Sequence, residues 1–297
     1  MKIKLLIAVA LTTHLIGPIN GWAQDDTVTI EATQVRGSIY MLTGRGGNIG
    51  LFNGTDGSFM IDDQFAPLTE KIIAAVKSIG GDLPRYLINT HFHGDHTGGN
   101  ENLGTAGTLI MSHHGVRERL RNGSFIGAFG MKSPPASRQA LPSITYSEDM
   151  QLHINNETVR ILHVPRAHTD GDSFVLFEKA NVVHTGDLFF NGFYPFIDGS
   201  NGGSLRGVIA GVDTILRHTD NDSRIIPGHG PLAGRADLRA YRDMLAQAYE
   251  RLLELKNQGK TAEQAVQLQP LQDLDASWGG GIFTTEKWIE VVYPAVF

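Results

Sequence analysis

The 297-residue chain contains no cysteine, so it can form neither a disulfide nor a thiolate metal site. Any metal must be held by nitrogen and oxygen. A basic patch is missing as well: Asp, Glu, Lys and Arg make up an ordinary 19% of the residues, the formal net charge is -6, and no stripe of Lys or Arg stands out. That argues against a nucleic-acid partner held by phosphate neutralisation. Beyond the N-terminus no apolar run approaches the length of a membrane-spanning helix. What is there is an ordinary globular composition, 41% hydrophobic, long enough for one large domain or two small ones.

The N-terminus has the form of an export signal. Met1-Lys2-Ile3-Lys4 is a basic start, Leu5 to Gly17 is apolar, and Gly21-Trp22-Ala23 places small residues around a cleavage point. The apolar run is short for a spanning helix, holds Thr12, Thr13 and His14, and ends at Gly17-Pro18. Residues 1–23 are therefore expected to be removed, leaving a periplasmic or secreted protein with no stable membrane insertion. Its stability must come from its core and from metal, because an oxidising compartment offers it no disulfide.

Residues 24–297 read as a single domain. Short β-prone runs at Val28–Ile30, Ser38–Leu42, Ile49–Phe52 and Ser58–Ile61 alternate with glycine turns. Pro67 opens a helical pattern with Leu68, Ile72, Ile73 and Val76 on one face, and Tyr86-Leu87-Ile88 follows as a buried strand. Further along come a strand at Thr108–Met111, a helix near Val116–Leu120, and a Gly, Ser and Pro-rich stretch from Asn122 to Pro142 that reads as a long loop or lid. A second block repeats the outline. Met150–Ile154 and Thr158–Val164 form a hairpin across Asn155-Asn156, with strands at Ser173–Phe177, Val182–Thr185 and Ser223–Ile226 and helices at Leu205–Leu216 and Asp237–Gln258. Two sheets with helices outside give a four-layer αββα sandwich of the α/β class.

The chemistry is concentrated in Thr90-His91-Phe92-His93-Gly94-Asp95-His96-Thr97-Gly98-Gly99-Asn100, directly after a buried strand. Imidazole and carboxylate suit zinc and its first-row neighbours. Three further donors stand at the ends of expected strands: His168 after Val164-Pro165, Asp187 in His184-Thr185-Gly186-Asp187, and His229 in Pro227-Gly228-His229-Gly230. Five histidines and two aspartates suffice for two ions with positions left for water and substrate.

These separated motifs, in this order, resemble the metallo-β-lactamase superfamily of hydrolases over most of the mature chain. The resemblance implies that His91, His93 and His168 bind one zinc, that Asp95, His96 and His229 bind a second, and that Asp187 bridges them. It also implies a small-molecule substrate, with zinc-held hydroxide attacking a lactone, thioester, ester or lactam carbonyl, and Asp95 is a candidate proton shuttle. Other first-row divalent metals are compatible with the same donors. Antibiotic-destroying branches use Cys or Ser near the position of Asp187, whereas glyoxalase-II-like and lactonase-like branches carry Asp. A β-lactamase is therefore the alternative, and a di-iron redox or metal-binding protein is the alternative from another class. Oligomeric state is not legible.

Other candidates admit two readings. Asp62 either supports the site or initiates a turn, and His184 is a possible partner orienting Asp187. The aromatics of Phe189-Phe190-Asn191-Gly192-Phe193-Tyr194-Pro195-Phe196 either line a substrate pocket, with Tyr194 donating to an oxyanion, or pack behind the site. Gly44-Arg45-Gly46-Gly47-Asn48 reads as a mobile hairpin tip beside it. His113, His114, His153, His163 and His218 read as structural or solvated.

Overall fold

A computed structural model describes residues 27–296, so the expected leader lies outside the described residues. The strands run β1 Glu31–Arg36, β2 Ile39–Thr43, β3 Ile49–Phe52, β4 Phe59–Ile61, β5 Tyr86–Asn89, β6 Leu109–His113, β7 Ser124–Ile126, β8 Met131–Ser133, β9 Ile144–Tyr146, β10 Met150–Ile154, β11 Glu157–His163, β12 Ser173–Phe177, β13 Val182–His184, β14 Arg224–Ile226 and β15 Ala233–Gly234. The helices are α1 Thr69–Ser78, α2 Gly94–Thr97, α3 Asn100–Thr105, α4 His114–Asn122, α5 Leu205–Arg217, α6 Arg235–Asn257, α7 Ala262–Gln267, α8 Gln272–Trp278 and α9 Thr285–Val292.

One sheet has the order β1-β2-β3-β4-β5-β6-β9 and the other β10-β11-β12-β13-β14-β15. Alternation of side chains across each strand divides the core into three layers. Phe59 and Ile61 of β4 face Val175 and Phe177 of β12 in an apolar cluster between the sheets. Met60, between them, points outward and packs with Ile72 and Val76 of α1. On the far side Phe174 and Leu176 of β12 pack with Val208 and Val212 of α5, Leu245 of α6 and Trp288 of α9. Helix, sheet, sheet and helix therefore stack as expected.

Strands buried on both faces need a way to end at a reactive edge. In the first sheet β4, β5 and β6 run parallel, which brings the carboxyl ends of β4 and β5 to one rim, where the Asp62 and Thr90–His96 segments begin. In the second sheet β13 and β14 are parallel, so Asp187 and His229 emerge together at the matching rim. The site lies where the two rims meet.

The structure departs from the sequence reading in several places, and the short strands β9 and β15 and helix α3 are among the elements that went unread. The first strand is Glu31–Arg36 rather than Val28–Ile30. Gly37, with φ +57°, turns the chain so that Glu31 pairs with Thr43, whereas Val28 and Ile30 pack against the α1 side of the first sheet. The stretch from Asn122 to Pro142 is not an unstructured loop, since β7 and β8 form an antiparallel hairpin within it. The C-terminal helices α7, α8 and α9 went unread, their segments being short and each capped by local Thr or turn chemistry instead of a long periodic face. By contrast, the β10–β11 turn was legible: Asn155 and Asn156 have φ of 53° and 58°, the paired positive values that a two-residue hairpin needs.

Candidate metal centre

All seven expected donors converge. His91, His93, His168 and Asp187 form one group, and Asp95, His96 and His229 a second, the ligand atoms within each group lying within 4.8 Å of one another. Asp187 faces both groups. Its Oδ2 lies 3.7 Å from His91 Nε2 and 3.4 Å from His168 Nε2, while its Oδ1 lies 3.1 Å from His96 Nε2 and 3.4 Å from His229 Nε2. Asp95 Oδ2 is 3.4 Å from His229 Nε2.

Outer hydrogen bonds set which ring nitrogen faces inward. His168 Nδ1 donates to the Phe196 carbonyl at 2.8 Å and His93 Nε2 to the Asp198 carboxylate at 3.0 Å. Thr90 Oγ1 gives its only proton to Asp62 Oδ2 and so accepts from His91 Nδ1. His96 Nδ1 donates to Asp62 Oδ2 at 2.8 Å. Neutral His91, His93 and His168 therefore turn bare nitrogen lone pairs on one another, with His93 Nδ1 3.1 Å from His91 Nε2 and 2.9 Å from His168 Nε2. Such lone pairs repel unless a cation lies between them, so the donor set fits a divalent metal.

Charge balance points the same way. Burial alone raises the Asp187 carboxyl, but His96, His229 and His91 outweigh it and hold it well below the usual range. Burial likewise acts to raise Asp95, and His96 with His229 brings it down to about 2. Burial acts to lower His229, yet Asp187 and Asp95 lift it to about 9. Burial dominates at His168, which falls to about 4. The cluster thus draws positive charge to its carboxylates, which is what a bound cation supplies.

Local backbone geometry makes room for this arrangement. A Cβ on Gly47 would stand 2.1 Å from the His96 ring, and one on Gly228 would stand 2.2 Å from Asp187 Oδ1. Asp62 and Gln64 adopt φ of 60° and 54°, an uncommon conformation for residues with side chains. Asp62 is therefore more than a turn residue: besides His96 it takes the Thr90 backbone N–H at 2.8 Å and fixes the start of the histidine motif. Asp172 does the same for the second loop by accepting from Thr169 N at 2.7 Å and Thr169 Oγ1 at 2.5 Å.

Three expectations are corrected. His184 does not orient Asp187: one ring nitrogen meets the Asn48 carbonyl at 2.9 Å and the other accepts from Gly186 N. Tyr194 is not at the reactive edge, since its buried ring stacks on Trp288 at 4.5 Å and its hydroxyl is raised by burial and by Asp275 to about 12. The Gly44–Asn48 segment is pinned, not mobile, at Gly47 and Asn48: Asn48 Nδ2 bonds the carbonyls of Pro227 and Gly230, and Gln64 Nε2 bonds that of Gly47. The aromatics mostly support the ligands. Phe190 stacks on His229 at 5.0 Å and Phe196 on His93 at 5.6 Å, while Phe189 packs on Tyr241.

Sequence reasoning missed Asp198, Thr90 and Asp172, each of which fixes a metal-binding loop or ring. For Asp198 the available signal was an acidic residue opening Gly199-Ser200-Asn201-Gly202-Gly203, a run of turn-forming residues.

An αββα sandwich with paired His/Asp groups at the shared rim of its sheets defines a class of metal-binding proteins. Residues 42–245 match the metallo-beta-lactamase superfamily, and the chain belongs to it. It is 30% identical over 137 residues to a hydroxyacylglutathione hydrolase of Rhodospirillum rubrum, covering 46% of this chain and 45% of that protein. It is 28% identical over 163 residues to a lactamase-like protein of Pestalotiopsis microspora, covering 55% of this chain and 42% of the other. The chain thus spans less than half the length of these curated relatives. Among solved structures, the Cronobacter sakazakii metallo-beta-lactamase superposes with a TM-score of 0.63 at 16% identity, covering 77% of this chain and 96% of that one. No helix among the described residues is long and apolar enough to cross a membrane.

Proposed function

We propose that the protein is an exported hydrolase that uses two divalent ions, zinc foremost, to cleave a carbonyl bond in a small molecule: a lactone, thioester, ester or lactam. The observation that carries this reading is Asp187, whose two oxygens are shared out between the two donor groups at 3.1–3.7 Å. In this reading His91, His93 and His168 hold one ion, Asp95, His96 and His229 the other, and Asp187 joins them. Ions held there supply the Lewis acidity that activates water near neutral pH and polarises a carbonyl.

The chain's own residues do the rest. Asp95 and His229 are the most open ligands, with side chains 29% and 18% exposed against 5% or less for His91, His93, His96, His168 and Asp187, so substrate enters from their side. Asp95 Oδ2, next to that opening, is placed to take a proton from the attacking water and pass it to the leaving group. Phe190 and Phe196, flat against His229 and His93, shield the ligand rings from solvent. The carboxylate at position 187 favours lactone or thioester chemistry over dedicated β-lactam hydrolysis, and the hydroxyacylglutathione hydrolase likeness agrees with it. The basic and apolar start of the chain supports a periplasmic or secreted location.

The test is a hydrolysis panel on the zinc-loaded mature protein: an acyl-homoserine lactone, a glutathione thioester and a cephalosporin, with His93→Ala as the control. Turnover of the first or second, lost in the control, is expected. Preferential turnover of the cephalosporin makes it a β-lactamase, and no turnover of any, with two zinc ions bound, removes the hydrolase reading. A visible absorption spectrum on the purified protein would instead mark a di-iron redox centre.

A further inference from the structure

Arg119 stands in α4, a helix that carries no donor, yet its hydrogen bonds and its ring contact all lead to the same donor group. Its Cζ lies over the Phe92 ring at 5.6 Å, and the buried Phe92 is the residue between His91 and His93. The Phe92 ring in turn meets the His93 ring at 4.5 Å. Nε and Nη2 of Arg119 donate to the two carboxylate oxygens of Asp170 at 3.2 and 2.5 Å, and Asp170 follows His168 by two positions. Nη1 donates to Asn201 Oδ1 at 2.5 Å. Asn201 Nδ2 then donates to Asp198 Oδ2 at 2.6 Å, the oxygen that also accepts from His93 Nε2.

The chemistry of this grip fixes a direction. A guanidinium has only donors, so Asn201 must turn its oxygen to Arg119 and its nitrogen to Asp198 and the Phe125 carbonyl. Asn201 and Asp198 are both buried, so a reversed amide would set donor against donor and oxygen against carboxylate away from water. Asp198, also held by Ser200 Oγ at 2.5 Å, is thereby kept as the acceptor that leaves His93 Nδ1 bare and turned inward. The two loops involved are joined as well: Asp198 N donates to the His168 carbonyl at 2.9 Å and Asp170 N to the Asn201 carbonyl at 3.1 Å. Asp170 offsets the guanidinium charge, so the grip does not oppose a cation at the centre. None of these contacts reaches Asp95, His96 or His229.

We propose that Arg119 is a positioning residue for one ion site only: through Asn201, Asp170 and Phe92 it holds His93 and the His168 loop, and so sets the affinity of the His91, His93 and His168 group separately from that of the Asp95, His96 and His229 group. The proposal rests on the two-ion reading above and deepens it, because it makes the two ions unequal through a residue that binds neither. Asp62 is the contrast, since its carboxylate serves a ring in each group. A planar fork is what the geometry requires: one side chain must meet both oxygens of Asp170 and the Asn201 amide at once, which a lysine ammonium cannot do.

The test measures zinc affinity by chelator competition in two proteins that each keep one donor group whole. His229→Ala leaves the first group intact and His93→Ala the second. Adding Arg119→Met, which keeps a stem along Phe92 but no donor, should weaken zinc binding about 10–100-fold in the His229→Ala protein and leave it unchanged in the His93→Ala protein. Arg119→Lys keeps the charge without the fork, should lose affinity in the same protein by a smaller factor, and stands in if Arg119→Met does not fold. A second readout needs no metal: in the metal-free protein the ring N–H proton resonance of His93 should move on Arg119→Met, while that of His96, held by Asp62, stays in place. Equal losses in both proteins make Arg119 a general structural residue and overturn the proposal, as does full affinity in the His229→Ala protein or an unmoved His93 resonance. A wild type that binds no zinc, with a His93 resonance that still moves on Arg119→Met, would sink the two-ion reading and leave Arg119 as the residue that holds the His93 ring.

Discussion

Asp62 and the rings it holds show how much of the site is decided by groups that never face a metal. Its two oxygens meet Thr90 N, Thr90 Oγ1 and His96 Nδ1, so one carboxylate orders the start of the motif and a ring in each donor group. Asp62→Ala should weaken zinc binding by about 10–100-fold, measured by chelator competition, with the fold retained. A second residue-scale prediction concerns His113, whose ring stacks on His163 at 3.7 Å and 5°. Burial, with His163 and His114 alongside, lowers its pKa to about 4 from 6.5. The unfolded chain therefore binds the proton that the folded one refuses, and stability present above pH 6.5 is lost as pH falls toward 4. His113→Asn, which keeps an acceptor for the Gly115 N–H, should flatten that decline in urea titrations run from pH 7 to pH 5. At this scale the residues that converge were legible as candidate donors, because they sat beside glycines after apolar runs. Asp198 was not, since its importance comes from a contact across 105 positions of sequence, with His93.

Among the elements, α9 carries the least obvious duty. Its Trp288 is fully buried, stacks on Tyr194 and donates from Nε1 to the Pro195 carbonyl at 2.6 Å. The next residue, Phe196, supplies the carbonyl that holds His168. A C-terminal helix thus braces a ligand from behind. Trp288→Ala should cost about 3–5 kcal/mol in urea unfolding and should also weaken zinc binding, because the segment it braces is loosened. Strands such as β4 and β12 could be read from the sequence because burial on both faces gives short continuous apolar runs. The β7–β8 hairpin could not: Ser124, Met131, Lys132 and Ser133 carry no alternating pattern, and its place is set by Ser200 and Asn201 rather than by its own side chains. Tyr194 misled for a related reason. An aromatic a few positions beyond a ligand looks available, and only the packing of α9 shows that its ring is turned into the core.

For the molecule as a whole, the site is a joint between two sheets. His91, His93, Asp95 and His96 come from the first, and His168, Asp187 and His229 from the second. Asn48 stitches the same seam, with its side chain on Pro227 and Gly230 and its carbonyl on His184. Metal held as proposed, across the seam, would stabilise the docked state by about 2.7 kcal/mol when free metal is a hundredfold above its Kd. A chelator should therefore lower Tm, and readdition of zinc should restore it, as followed by calorimetry. The αββα outline was visible in the repeated strand and helix blocks, whereas the seam, made of contacts between distant halves, was not.

That division of donors has a use. The short connection Ser147–Asp149 between β9 and β10 separates a half with four donors from a half with three. Expressed as two polypeptides broken at that turn, neither piece owns either donor group in full except through the other. Their reassembly should then answer to zinc concentration, which would make the pair a split reporter in which the ion is the missing covalent link.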